Sequence, residues 1–121
     1  MGKDANAIVT EFCGAWVRMD PDELAEYFTD DGVYHNIPMA PMEGKQAIRD
    51  GLAGMKSMIG SIRFEVLRQL STGDVVMNER IDHIDMGGKA VALPVVGVFE
   101  VQGDKIKAWR DYFDMAQFAG G

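Results

Sequence analysis

The chain has 121 residues, 47% of them hydrophobic, and a formal net charge of −7. That is one domain, residues 1–121, with a real core, and not a disordered chain. The acidic balance argues against binding nucleic acid or an anionic membrane, and no apolar run is long enough to span a bilayer. The single Cys13 rules out an internal disulfide and fits a reducing cytoplasm. Gly2 invites N-myristoylation, but Asn6 stands where that signal wants Ser or Thr. Nine methionines suggest a core or pocket with adaptable walls.

In chain order, Asp4 to about Arg18 reads as a helix whose apolar stripe is Ile8, Val9, Phe12, Cys13, Trp16 and Val17. Asp20-Pro21 starts a short second helix, with Asp20 as N-cap and Pro21 in its first turn. Thr29-Asp30-Asp31-Gly32 reads as a turn and Val33 to Ile37 as a short strand. Pro38-Met39-Ala40-Pro41-Met42 is an apolar loop suited to a pocket rim. Gly44 to about Ile59 is a third helix, weakened by Gly51 and Gly54 at up to about 1 kcal/mol each.

Strands follow. Ser61–Leu70 is one, and Asp74–Asp85 is joined through Met86-Gly87-Gly88 to Lys89–Val101 as a hairpin. Gly103-Asp104 turns into Lys105–Phe113, and Pro94 marks a bulge, bend or edge position. The tail Ala116–Gly121 reads as loose. Three helices before long antiparallel strands predict an α+β cone, its twisted sheet enclosing a pocket against the helices.

Two polar stretches interrupt strands that should be apolar: Asn78-Glu79-Arg80-Ile81-Asp82 and Trp109-Arg110-Asp111-Tyr112-Phe113-Asp114. Strand side chains alternate, so Val76, Asn78, Arg80, Asp82 and Ile84 share one face. Asp111 shares a face with Trp109 and Phe113. The plain reading of Arg80 and Asp82 is a surface ion pair, and that of Asp111 a buried aspartate satisfied by Arg80. The apolar flanks favour burial, and an arginine between carboxylates is expensive to bury without a purpose. Tyr34 and Asn36 share a face of the first strand, as hydrogen-bonding groups for a water or as an edge tyrosine and a turn asparagine.

On Tyr34-His35-Asn36 and those two stretches, the chain resembles the limonene-1,2-epoxide hydrolase family, within the NTF2-like and SnoaL-like α+β cone folds. The resemblance covers nearly the whole chain. It implies a water-holding Tyr34 and Asn36, Asp111 as general base, Asp82 as general acid and Arg80 between them. The implied reaction adds water to a neutral terpenoid-like or cyclic epoxide without metal, cofactor or covalent intermediate. Strand parity nominates Ile84, Leu93, Val95 and Phe113 as pocket wall, with Trp16, Met55 and Ile59 closing it from the helices; plain core packing is the ordinary alternative.

His35 and His83 fall on faces opposite the polar set, so no metal site is expected. Cys13 has no adjacent base and reads as a buried structural thiol. Glu79, Arg110 and Asp114 belong to the outer sheet face or a subunit interface. The resemblance implies a homodimer through the sheet, compatible with an outer face bearing Met77, Ile81, Val96 and Val98. Two other classes share such folds: an isomerase or cyclase acting on a ketone through one carboxylate, and a non-catalytic carrier of a small apolar ligand.

Overall fold

The structure is a computed structural model and describes residues 4–119. Gly2, considered above for acylation, lies outside them.

Helix α1 (Ala5–Ala15) starts where the Asp4 carboxylate accepts from the Ala7 N–H at 2.7 Å. It buries Ile8, Val9, Phe12, Cys13 and Ala15, and a 3₁₀ turn over Trp16–Arg18 continues it. Phe12 meets Trp16, Tyr27, Phe28, Phe99 and Trp109 edge-on, which makes it the centre of an aromatic core. Helix α2 (Pro21–Ala25) is capped by Asp20, with Pro21 in its first turn. Helix α3 (Lys45–Lys56) buries Ile48 and Leu52 and runs straight through Gly51 and Gly54. No helix among the described residues is long and apolar enough to cross a membrane.

The strands are β1 (Phe28–Asn36), β2 (Met42–Glu43), β3 (Ser61–Thr72), β4 (Val75–Met86), β5 (Lys89–Gln102) and β6 (Lys105–Tyr112). They form one six-stranded sheet in the order β2-β1-β6-β5-β4-β3. From β3 to β6 it is an antiparallel meander, but β1 lies parallel to β6, so the sheet is mixed. The hairpin between β4 and β5 turns on Gly87 and Gly88, both at positive φ (61° and 86°), as a two-residue turn of that hand requires.

The structure corrects the cone expected from the sequence. The fold is α+β with N-terminal helices, but the sheet is neither curled nor closed: it is open, ending at β2 and β3. Closure would need one edge to hydrogen-bond the other, and a two-residue β2 cannot pair a twelve-residue β3. The helices cover one face of the open sheet instead.

Smaller departures have local causes. Thr29–Gly32, expected as a turn, lies within β1, whose register shifts between Phe28 and Val33. The tail forms a one-turn helix α4 (Ala116–Ala119), where the Asp114 carboxylate accepts from the Ala116 N–H at 2.9 Å; Gly120 and Gly121 lie outside the described residues. Pro94 pairs with Ile81 of β4, but β5 is paired to β6 only from Val96 onward. The strand is locally an edge there, so the missing N–H costs no ladder bond on that side.

Candidate active site

Alternation along β4 turns Val76, Asn78, Arg80, Asp82 and Ile84 inward, all buried, while Met77 and Glu79 face out. β6 turns Trp109 and Asp111 to the same side, and β1 adds Tyr34 and Asn36. The parallel register of β1 and β6 sets Tyr34 beside Trp109 and Asn36 beside Asp111. β5 separates β6 from β4, and at the crossing Gly97 pairs with both Asp111 and Asn78. A Cβ there would lie 2.5 Å from Arg80 Nη1 and 2.9 Å from both Asn78 Oδ1 and Asp111 Oδ1. Gly97 is therefore the gap through which the arginine of one strand reaches the aspartate of another.

Arg80 is fully buried, and all five of its guanidinium N–H groups find acceptors. Nε and Nη2 donate to Asp82 Oδ1 and Oδ2, each at 2.9 Å. Nη1 and Nη2 donate to Asp111 Oδ1 and Oδ2 at 3.2 and 2.7 Å. The fifth bond runs from Nη1 to Asn78 Oδ1 at 3.1 Å. The Phe64 ring lies over the guanidinium, 4.4 Å from its carbon. Asn78 is fixed in turn by donating to Gln69 Oε1 (3.1 Å) and Cys13 Sγ (3.6 Å). Trp109 Nε1 donates to Asp111 Oδ1 at 2.6 Å, giving Asp111 three donated bonds and Asp82 two.

Burial is the leading influence on both carboxylates and raises them above the ordinary aspartate range, although Arg80 opposes it. Asp111 is raised further by Asp82 and lowered by the Trp109 N–H. Burial alone would lower Arg80, but the two aspartates more than offset it and keep it charged. Tyr34 is raised, first by burial and then by Asp111, and stays a neutral phenol. Its OH donates to Asn36 Oδ1 at 3.3 Å, and its ring stacks on Trp109 at 4.1 Å. Cys13, pushed up to about 12 chiefly by burial, is an inert thiol.

These groups stand at one wall of a cavity of about 730 Å³. Tyr34, Asn36, Asp82 and Asp111 line it, and Arg80 lies behind them. Trp16, Met55, Ile59, Ile84, Leu93, Val95 and Phe113 line it as well. Sequence reasoning did not single out Phe64, Ile62, Met58, Met86 or Met115, which also line it, nor Gly97, and it placed Asn78 on the inward face without giving its amide a role. The signals available were a glycine inside a strand and the high methionine count. The expected rim loop does supply Met39 and Met42. His35 and His83 point elsewhere: His35 Nε2 meets the Met39 carbonyl at 2.9 Å and His83 pairs with Glu65 at 2.8 Å. Among the described residues, no three His, Cys, Asp or Glu side chains group closely enough to hold a metal ion.

Residues 3–120 match the model of the limonene-1,2-epoxide hydrolase catalytic domain. The chain belongs to that family. It is also 33% identical over 107 residues to epoxide hydrolase EphG of Mycobacterium tuberculosis, covering 88% of this chain and 71% of the relative. A solved structure of an epoxide hydrolase of this type from M. tuberculosis superposes with a TM-score of 0.85 at 32% identity, over 96% of this chain and 87% of the other. A hypothetical protein of ketosteroid isomerase-like fold from Catenulispora acidiphila superposes at 0.84 and 26% identity, over 91% and 87% of the two chains. The fold is thus the NTF2-like α+β fold with an open mixed sheet, and the protein is an enzyme of the epoxide hydrolase type.

Proposed function

We propose that the protein adds water to a neutral apolar epoxide in one general acid–base step, giving a vicinal diol. One observation carries the reading: a buried arginine holds two aspartates side by side at the wall of an apolar cavity. With both carboxylates ionised, that group would carry one uncompensated buried negative charge. A single shared proton makes it neutral, which burial strongly favours. A pair carrying one proton is an acid and a base in one place.

Asp111 receives more donated hydrogen bonds than Asp82, so the ionised form is better supported at Asp111. Asp111 is then the base. It takes a proton from a water held also by Tyr34 and Asn36, and the water oxygen attacks one epoxide carbon. Asp82 holds the proton and delivers it to the epoxide oxygen as the carbon–oxygen bond breaks. Arg80 keeps the two carboxylates in register, and proton exchange with solvent resets the pair. Each proton transfer contributes roughly 100-fold to 10,000-fold in rate. Trp16, Met55, Ile59, Ile84, Leu93, Val95 and Phe113 hold the hydrocarbon part of the substrate.

The setting follows the same chemistry. The enzyme acts in the reducing cytoplasm on a small neutral molecule, without nucleic acid, as a homodimer joined through its outer sheet face. The test is diol formation from limonene oxide, cyclohexene oxide and styrene oxide by the wild type beside Asp111→Asn. Diol from the wild type, falling by about 100-fold to 10,000-fold in the variant, is the expected result. Undiminished turnover in Asp111→Asn would remove the proposed base. A folded protein that yields no diol from any of the three would favour ketone chemistry or ligand carriage.

A further inference from the structure

The cavity is larger than the chemistry at its wall requires. At about 730 Å³ it falls in the upper part of the range of roughly 300–1,000 Å³ that accommodates drug-sized ligands. A monoterpene-sized epoxide would leave much of it to water, against walls that gain nothing from water. The lining also has a direction. Tyr34, Asn36, Asp82 and Asp111 are all at most 8% exposed, whereas Met39, Met58 and Met115 are 45%, 63% and 43% exposed. A ligand therefore enters reacting end first, and its body trails toward a methionine rim that adapts to its shape.

Helix α3 is hollowed on the same side. Gly51 and Gly54 both line the cavity, although each costs up to about 1 kcal/mol in helix propensity relative to alanine. A Cβ on Gly51 would collide with the Met42 side chain, and one on Gly54 would meet nothing within 4 Å. Gly54 thus leaves the wall open, while Gly51 makes room for Met42, whose side chain itself lines the cavity. Among the described residues, no lysine, arginine or histidine lines the cavity, so a ligand carboxylate would find no charge partner among them.

We propose that the preferred substrate is an uncharged epoxide whose hydrocarbon body exceeds a monoterpene and whose epoxide lies near one end. This rests on the epoxide hydrolase reading above. The test is kcat/KM across a homologous series from 1,2-epoxyhexane to 1,2-epoxydodecane, with 11,12-epoxydodecanoic acid as the charged analogue. Each methylene that leaves water is worth up to roughly fourfold; at about twofold for each of the six methylenes added, for a body only partly withdrawn from water, a rise of about sixtyfold along the series is expected. The acid should react at least about tenfold less efficiently than 1,2-epoxydodecane. Gly54→Leu and Gly54→Phe, which put side chains into the open wall, should each lower the ratio of long-chain to short-chain kcat/KM by about tenfold. A flat or falling series, with diol still formed from the short members, overturns the substrate class and leaves the hydrolase standing. No diol from any member, while limonene oxide is still hydrolysed, overturns the substrate class alone; no diol from either panel overturns both.

Discussion

On the cavity side of β4, Asn78, Arg80 and Asp82 are buried; on the opposite side Met77 is 48% exposed and Ile81 is only half-buried. The strand buries Arg80 and Asp82 inside and leaves Met77 outside beside Glu79, a partial reversal of an ordinary half-buried strand. The two faces teach different things. Inside, Arg80 is tolerated because every N–H has an acceptor, so removing one partner unbalances the group. Outside, Met77 and Val96 remain 48% and 41% exposed.

The largest effect should come from Arg80→Met, which keeps the volume and removes the charge. It leaves two buried carboxylates without their cation, a class of change that costs about 3–5 kcal/mol. The loss should depend on pH. Both aspartates are already raised in the folded wild type, first by burial, and Arg80 is what opposes that rise. Without it their folded values climb further. A folded value above the unfolded one means that the native state binds more protons, so stability falls as pH rises from the ordinary aspartate range through the folded values. Urea unfolding should therefore show the full deficit of Arg80→Met at pH 8 and a smaller one near pH 4. A deficit that does not change with pH would mean that the aspartates are not the source of the penalty.

Gly97→Ala should do less to stability and still disturb the acid–base pair. The added methyl meets the Arg80 guanidinium and the oxygens of Asn78 and Asp111 at once. Overpacking of this kind costs about 1–3 kcal/mol. Because the displaced groups are Arg80 and its acceptors, kcat should fall by about tenfold or more even where the variant is fully folded. A variant that unfolds more readily yet keeps its kcat would show that the pair tolerates movement of Arg80.

How far these features can be read in the sequence depends on how local their cause is. Strand parity is a rule between neighbours, so the sequence alone places Asn78, Arg80 and Asp82 on one face, and Trp109 with Asp111. Helix starts at Asp4 and Asp20 are equally local. The open sheet order was not legible, because the parallel pairing of β1 with β6 joins segments about seventy residues apart and no local signal encodes it. Gly97 was missed because its part is an absent side chain, which shows only when three strands are side by side. Trp109 read as an apolar bracket around Asp111, yet its ring N–H is a 2.6 Å donor to that carboxylate. The six methionines that line the cavity come from four separate stretches of chain, 39–42, 55–58, 86 and 115, and follow no period.

The smallest effect on catalysis, and the clearest separation of the two faces, should come from the outside. Met77, Val96 and Tyr112 are 48%, 41% and 44% exposed on the outer face; Val96 pairs with Tyr112 on β6 and with Glu79 on β4, and Met77 pairs with Val98, so the face is largely apolar with one carboxylate among its members. A surface of that kind on a strand whose other face is fully committed fits burial against a second copy. The double variant Met77→Lys, Val96→Lys puts like charges on both sides of such a contact and leaves every inward side chain in place. Light scattering should report a dimer for the wild type and a monomer for the variant, with turnover per protomer changed by less than about twofold. A wild type that is monomeric at micromolar concentration would remove the dimer. A variant that becomes monomeric and loses turnover by tenfold would break the comparison itself, because the outer face would then be holding the inner one in shape.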